Sequence, residues 1–534
     1  MNRSSRIIAV AFLSALLLSS GLSAQEQALW GELEPGPYPI GFETIEKYDY
    51  TRTFRSGKDY FGNPTDDQTA RQIQICIWYP AAEPQSMTEM VYAEYAFPFP
   101  DDPDFIGLLS GLQTRELQFM LPIMGNDRAA VQNAMDFRLR AVRGAGHQEG
   151  TFPVIIYHPD AGSGYAENVV MCEFLASHGF IVATSPALGA ATLAVAGLHD
   201  LEACARDREF VAGQLRDYPN ADGDRVGLLG HGAGGITALV HQMRNAGVDA
   251  VATIQGAYLS PELAEVTFEN PFFRPTSMGV PMLQIFADLE GAITLDVFDS
   301  LRYCDRLSVS LSGVEPSELL VYGHMSAALV DTAGTGQDAT GHEAACRYVA
   351  NFFKAHLVGD SAAQAFLDRT PEENQYAQEF MNLARAAGED VPPTAGQFLE
   401  IIQNYTVEQA MELVEKFDLA NPAAPILPEA NLNALGYQFL QRGNTDDALP
   451  IFKMTVNAYP NSANAHDSYA EACMSNGDNE MALQLYEKAL GLLATDSTLT
   501  PAFREVLETG IPDRIERLKE LISGSQESDT EEEQ

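Results

Sequence analysis

The chain is 534 residues long, carries a formal net charge of −42 and is 46% hydrophobic. So much negative charge opposes binding to nucleic acid or to anionic lipid, so we expect neither as a partner. The length suits two or three domains rather than one.

The N-terminus has the pattern of a secretory signal peptide. Arg3 and Arg6 form a short basic start, an apolar run covers residues 7–18, and small residues lead to Ala24. We therefore expect residues 1–24 to be removed and the protein to be exported, periplasmic or extracellular. The alternative is an uncleaved anchor, but the run is short for a bilayer. No later segment predicts a membrane span.

The cysteines are far apart and form no C-x-x-C pair, so no metal site is predicted, and no cofactor is expected. They are Cys76, Cys172, Cys204, Cys304, Cys346 and Cys473. An exported protein permits disulfides. Pairing of Cys172 with Cys204, or of Cys304 with Cys346, stays open.

The first part of the chain predicts one strand and a helical insertion. Residues 25–70 are rich in Gly, Pro, Tyr and charge, and we expect them to be irregular. Residues 72–80 alternate apolar and polar side chains before Pro80, which predicts a strand. Residues 82–148 are mixed, with helical spacing from Asp104 to Arg143, and predict a helical insertion.

From Phe152 onwards short apolar runs alternate with helical patterns. The predicted strands are residues 153–157, 180–184, 225–229, 250–254, 282–286 and 318–322. The predicted helices are residues 167–178, 201–215, 235–245 and 342–357. This alternation predicts an α/β domain over residues 25–358, with a mostly parallel sheet and helices on both faces.

After Gly359 we predict helices only. Residues 359–429 form a helical linker, and two units follow at 430–463 and 464–497. Six positions recur 34 residues apart: Gly436/Ala470, Leu440/Met474, Gly443/Gly477, Ala448/Ala482, Ile451/Leu485 and Phe452/Tyr486. Both units resemble tetratricopeptide repeats, which implies an all-α domain that binds a protein or peptide. Residues 498–522 are a predicted capping helix, and 523–534 a predicted disordered acidic tail.

Residues 226–235 have the order strand, sharp turn, helix. In α/β-hydrolases this turn carries the nucleophile in the pattern G-x-S-x-G. Here Gly230 and Gly234 match the outer glycines, and Gly232 stands at the position of the serine. Without a hydroxyl at this place the usual acyl-enzyme cannot form.

Several motifs surround this turn: Gly36–Phe42, Ile77–Pro80, Cys172–Gly179, Arg206-Asp207 and Gly323-His324. With them, residues 36–357 resemble the bacterial α/β-hydrolases related to platelet-activating-factor acetylhydrolase and dienelactone hydrolase. The resemblance implies an α/β-hydrolase fold.

The resemblance also implies positions for the other two members of a catalytic triad. It implies that His324 is the retained triad histidine, in the loop after the last strand. It implies that Gln255 stands at the position of the acid, which is thereby lost. Asp288 and Glu290 follow the next strand and remain alternative acids.

The loop from His158 to Gly164 corresponds to the region whose N–H groups bind the oxyanion in such enzymes. Its pocket residues are His158, Asp160, Gly162 and Ser163, to which the turn adds His231 and Ala233. We expect this region to persist as a polar concavity whether or not catalysis survives.

Three functions follow from these patterns. The first is a non-catalytic protein that binds a small ester-like or acyl ligand and, through its repeats, a protein partner. The second is a carboxylic-ester hydrolase that uses a non-standard nucleophile, with Ser163 and Ser185 as candidates, or water activated by His324. The third is a scaffold for an envelope complex, in which the repeats carry the function.

Overall fold

A computed structural model describes residues 29–55, 68–83, 88–98, 100–190, 194–195, 197–289, 291–330, 340–404 and 406–532. The predicted signal peptide lies outside the described residues. The chain divides into two compact units, with the boundary between Glu389 and Asp390.

The described part of the first unit contains one large sheet. Its strands are β1 (Ile40–Arg55), β2 (Gln68–Pro80), β3 (Ala141–Arg143), β4 (Phe152–His158), β5 (Ile181–Thr184), β6 (Ala221–His231), β7 (Ala250–Ile254), β8 (Met282–Ala287), β9 (Arg306–Leu311) and β10 (Met381–Ala386). Their order is β10-β9-β8-β7-β6-β4-β5-β2-β1-β3. Strand β2 is antiparallel to both neighbours, whereas β5, β4, β6, β7, β8 and β9 run parallel.

Helices cover both faces of this sheet. They are α1 (Tyr92–Ala96), α2 (Ile106–Ile123), α3 (Arg128–Met135), α4 (Val169–Ser177), α5 (Leu198–Leu215), α6 (Ala233–Arg244), α7 (Pro261–Glu269), α8 (Asp296–Ser300), α9 (Val321–Val330), α10 (Thr340–Phe353) and α11 (Ser361–Asp368). Along β4, Ile155 packs in the core with α4 and α10, whereas Val154 and Ile156 pack in the core with α5 and α6. This strand order and these two helical layers are those of an α/β-hydrolase fold.

Five predicted strands are confirmed as β4 to β8, and the predicted strand at 72–80 lies within β2. The predicted strand at 318–322 is wrong. Residues 316–319 form a 3-10 turn that begins at Pro316, and α9 follows at once. The strand of this region is β9, in which Leu307, Val309 and Leu311 alternate with polar residues.

Two further strands lie where none was predicted. Residues 25–70 include β1, which pairs with β2 along most of its length. The predicted helical linker 359–429 includes β10, which pairs antiparallel with β9 at the edge of the sheet. The first unit therefore extends to residue 389 rather than 358.

The helical insertion at 82–148 contributes α1, α2, α3 and the short edge strand β3. Its helices pack against α9 and against the 3-10 turn at Ala166–Asn168. The insertion therefore packs on α9 and on the turn that precedes α4.

In the part described, the second unit is helical. Its helices are α12 (Ala395–Asn404), α13 (Val407–Phe417), α14 (Glu429–Gln441), α15 (Thr445–Ala458), α16 (Ala463–Ser475), α17 (Asn479–Leu492) and α18 (Pro501–Glu532). Helices α14 and α16 begin 34 residues apart, as do α15 and α17. Helix α18 continues to Glu532, so the tail predicted to be disordered is helical to that residue.

The six cysteine thiols are all free and buried, so neither disulfide forms. The Cys204 thiol donates instead to the carbonyl of Leu188, and the Cys304 thiol to that of Leu301. Among the residues described, no three His, Cys, Asp or Glu side chains are gathered to hold a metal ion. No helix in the same ranges has both the length and the apolar run needed to cross a bilayer.

Candidate functional site

Gly232 lies at the sharp turn between β6 and α6. Its backbone has φ 55° and ψ −127°, a conformation that L side chains rarely adopt and that glycine adopts without strain. The helix that follows approaches the strands closely, since a Cβ at Gly234 would lie 2.6 Å from the carbonyl oxygen of Pro159. Position 232 thus has the geometry that α/β-hydrolases use to present a nucleophile.

The side chain of Asp160 fills the space beside this glycine. A Cβ at Gly232 would overlap with the Asp160 carboxylate and would lie 2.9 Å from the Asp160 Cβ. The N–H of Ala233 donates to Asp160 Oδ1 over 2.7 Å. In an active hydrolase the N–H after the nucleophile stabilises the oxyanion. Here this donor is engaged by the chain's own carboxylate, and the predicted concavity is filled by Asp160.

A buried ion pair lies directly behind Asp160. His231 Nδ1 lies 3.0 Å from Glu167 Oε1, which also accepts hydrogen bonds from the Tyr157 hydroxyl and the Asp160 N–H. Burial alone would raise the pKa of Glu167, but the charge of His231 and these hydrogen bonds lower it. Burial alone would lower the pKa of His231, but Glu167, with a smaller contribution from Asp160, raises it. Each of the two groups therefore favours the charged form of the other.

The helical insertion contributes two neighbouring residues of α2 to this region. Arg115 Nη1 donates to the carbonyl of Gly162 over 3.0 Å. Glu116 Oε1 accepts from the hydroxyls of Tyr92 and Tyr322, at 2.6 Å and 2.8 Å. Burial raises the pKa of Glu116, and the charge of Glu167 adds to that rise. These polar contacts join α2 to the loop after β4 and to α9.

His324 lies in the first turn of α9, not in a loop after a strand. Its side chain is buried, and its Nε2 has no hydrogen-bond partner among the described residues. Its ring packs edge-on against His342, and a Cβ at Gly31 would lie 2.8 Å from its Cε1. Burial lowers the pKa of His324 to about 4. The N-terminal turn at Gly31 therefore shields the neutral imidazole of His324 from solvent.

Neither Gln255 nor Asp288 is hydrogen-bonded to His324 in the described structure. Gln255 follows β7 with φ 45°, and its Oε1 accepts the N–H of Ala287 over 2.9 Å, which ties the ends of β7 and β8 together. Asp288 is exposed. Glu290 lies outside the described residues.

The predicted pocket residue His158 has a structural role. It is fully buried, with its Nδ1 2.9 Å from Thr237 Oγ1 and its Nε2 3.3 Å from His241 Nδ1. Burial lowers its pKa well below the ordinary value, and the charges of His241 and Arg208 add to that effect. The imidazole is therefore neutral and joins β4 to α6.

Neither candidate serine is hydrogen-bonded to a base among the described residues. Ser163 is half-buried, and its N–H donates to the carbonyl of Asp160 over 3.0 Å. Ser185 is buried, and its Oγ has no hydrogen-bond partner within the described ranges. An isolated serine hydroxyl is a weak nucleophile, so neither residue is activated for attack.

Sequence reasoning missed Glu167 and Glu116, and it did not foresee how Asp160 is used. Glu167 lies in a helical pattern that predicts only a solvated or packed face. A buried carboxylate at such a position becomes visible only when its partners, Tyr157 and His231, are brought to it by the fold. Chemically, the described residues of the site offer charge and hydrogen bonds but no activated hydroxyl beside the turn.

No protein-family model and no curated protein matches the chain. Among solved structures it is similar to a ferulic acid esterase from Streptomyces cinnamoneus, at 18% sequence identity and a TM-score of 0.46. The similarity covers 67% of this chain and 99% of the esterase. The assignment of the fold rests on the strand order and helical layers of the chain itself.

Proposed function

We propose that the chain is an exported, non-catalytic binding protein built on an α/β-hydrolase fold. The observation that carries this proposal is the Asp160 carboxylate, which fills the space beside Gly232 and takes the N–H of Ala233. A serine hydrolase needs a nucleophile and a free oxyanion donor at these two places. The burial of His324 behind Gly31 supports the same conclusion, since a base must reach its substrate.

The proposal includes two kinds of ligand. The hydrolase-like unit would hold a small ester-like or acyl ligand near the turn. The second unit would bind a protein or peptide through tetratricopeptide-like helix pairs. In support, a Cβ at Gly436 would lie 2.6 Å from the Phe452 ring, so this glycine lets α14 and α15 approach closely. The buried Ala448 and Ala482 are the small residues expected at such contacts.

A second candidate is a hydrolase with a non-standard nucleophile. The position of the Asp160 carboxylate beside the turn favours it, because carboxylates can form covalent intermediates. Against it, Asp160 Oδ1 engages the donor that an oxyanion would need. Activation of water by His324 is disfavoured, because the turn at Gly31 shields the imidazole from solvent.

The test is hydrolysis of short-chain nitrophenyl esters by the purified mature chain and by the His324→Ala and Asp160→Asn variants. We expect turnover near background in all three. Turnover by the wild type that Asp160→Asn abolishes would establish the aspartate as a nucleophile. Turnover that His324→Ala abolishes would establish the histidine as a base, and either result would overturn the non-catalytic proposal.

A further inference from the structure

We propose that a groove at the edge of the sheet opposite the turn at Gly232 binds a short peptide with free termini. The carboxylate of the peptide lies against Arg140, and its ammonium lies against Glu89. This inference goes beyond the proposed function, since it assigns a second site in the first unit. It does not depend on whether the turn at Gly232 is catalytic.

The groove has a volume of about 630 Å³, which is within the range of small-ligand sites. Residues 35–40 form one side, which includes three prolines, and Val142 adds further apolar surface. The other lining residues are polar or charged, and they are Glu83, Thr88, Glu89, Arg138 and Arg140. The groove therefore offers charges of both signs beside an apolar surface.

This groove and the turn at Gly232 lie at opposite edges of the sheet. Ile40 pairs with Pro80 at the end of β2, and Trp78 of β2 pairs with Val182 of β5. The groove thus lies at the amino ends of the parallel strands, whereas Gly232 follows the carboxyl end of β6. Ligands of open α/β sheets ordinarily bind at the carboxyl ends, so this would be an additional site.

Arg140 presents a guanidinium without an ion-pair partner to the groove. Its Cζ lies 4.7 Å from the centre of the ring of Trp30, which is fully buried. Glu173 Oε2 fixes both residues, because it accepts the Trp30 Nε1–H over 3.0 Å and the Arg140 backbone N–H over 2.9 Å. The Arg140 Nε has no hydrogen-bond partner, and no carboxylate oxygen of the described residues lies within 4.0 Å of the guanidinium. A planar guanidinium held in this way can donate two parallel hydrogen bonds to a carboxylate.

Glu89 lies on a segment next to that of Arg140 but does not pair with it. The adjacent Met90 donates its N–H to the carbonyl of Ala141 over 2.9 Å and accepts the N–H of Leu139 over 2.9 Å. These two bonds hold the segments together, and both charged side chains line the groove. The Glu89 side chain is exposed and forms no ion pair with Arg140 in the described structure. Opposite charges are therefore held apart within one groove.

This distribution of charge favours a zwitterion over a simple acid or a simple amine. An acid would be attracted by Arg140 but repelled by Glu83 and Glu89, and an amine would be repelled by the arginines. A peptide with free termini satisfies both signs, because its carboxylate meets Arg140 while its ammonium meets Glu89. The apolar side of the groove accommodates the part of the peptide between its termini.

The experiment is calorimetric titration of the full chain, without residues 1–24, with three probes. They are trialanine, N-acetyl-trialanine, which lacks the ammonium, and trialanine amide, which lacks the carboxylate. We expect the wild type to bind trialanine at least about tenfold more tightly than either blocked probe, because each blocked probe loses one charge-assisted contact.

Two variants assign the termini of the peptide. Arg140→Gln should weaken the binding of trialanine at least about tenfold and remove its advantage over the amide. Glu89→Gln should remove the advantage of trialanine over the acetylated probe. The matched controls are Arg274→Gln and Glu265→Gln at exposed positions outside the groove, and both should bind trialanine as the wild type does.

Absence of trialanine binding, or equal binding of the three probes by the wild type, would overturn the inference. Equal affinity of Arg140→Gln and the wild type for trialanine would also overturn it. If Arg140→Gln does not fold, the comparison of the three probes on the wild type still decides the question. Ester turnover by the wild type would defeat the non-catalytic proposal without changing these affinities, so the two failures are distinguishable.

Discussion

The carboxylate of Asp160 occupies the space in which a side chain at Gly232 would begin. The arrangement depends on both residues, because any Cβ at position 232 would displace the carboxylate from the Ala233 N–H. The turn therefore keeps the backbone of a nucleophile elbow while a different residue supplies its side chain.

The substitution Gly232→Ser should destabilise the fold in two ways. The positive φ of the turn should add strain of roughly 1–3 kcal/mol, and the new Cβ should force Asp160 out of its position. Thermal unfolding of Gly232→Ser, Asp160→Ala and the double variant forms a mutant cycle. We expect the double variant to be more stable than the sum of the single effects predicts, because the overlap is then removed. Additive effects would argue against the contact.

The substitution Gly31→Ala should destabilise the first unit because the methyl group would press on His324 and Glu343. A matched control is Gly144→Ala, where φ is also positive but the space is open. We expect Gly31→Ala to lower the free energy of unfolding by roughly 1–3 kcal/mol more than the control, from overpacking. Chemical denaturation measures both. Equal losses would show that the turn at Gly31 does not seal the histidine.

The Glu167–His231 pair should stabilise the fold most between about pH 4.5 and 6.5, the ordinary pKa values of the two groups. Because the folded pKa of His231 is raised, its contribution is complete below pH 6.5 and is lost as the pH rises through the raised value. Because the folded pKa of Glu167 is lowered, its contribution is complete above pH 4.5 and is lost as the pH falls through the lowered value.

The test of this pH dependence is urea unfolding of wild type and Glu167→Gln at several pH values. Removal of one partner of a buried pair costs roughly 3–5 kcal/mol, and we expect the largest difference near about pH 5.5, between the two ordinary pKa values. The exposed Glu265→Gln is the control. If the free energies of unfolding of wild type and Glu167→Gln differ by the same amount at high pH, where the imidazole is neutral, a charged His231 is contradicted.

The substitution Ala482→Glu should destabilise the second unit, because the alanine is fully buried. A carboxylate without a partner at this place should cost at least about 2 kcal/mol. Ala502→Glu on the exposed side of α18 is the control. Scanning calorimetry of the full chain should show a lowered transition for Ala482→Glu only. Unchanged unfolding would count against close helix packing at this repeat position.

The sequence predicts the centre of the sheet well, and the physical reason is burial. Strands covered on both faces, such as β4 and β7, are near-continuous apolar runs with clear ends. The edges are harder, because β10 is largely exposed and has no such pattern. Short apolar runs are ambiguous, and Leu319–Tyr322 is helical because the turn at Pro316 starts a helix rather than a strand.

The sequence shows the glycines that the turn at Gly232 requires. It does not show which side chain occupies the space beside that turn. The glycines of 230–235 predict the sharp turn because only glycine suits its backbone and its close packing. The use of Asp160 depends on the path of the loop after β4 and on one side-chain rotamer, neither of which has a local pattern. The same holds for Gln255, whose hydrogen bond to Ala287 joins two strands that are distant in sequence.

Covalent labelling tests the central claim most directly. The wild-type chain without residues 1–24 would be incubated with a fluorophosphonate, with an active serine esterase as control, and its intact mass measured. We predict no stoichiometric adduct on the chain, because no activated serine lies beside Gly232 in the described structure and the oxyanion donor is held by Asp160. A stoichiometric adduct located by peptide mapping to a serine of the first unit would contradict the account.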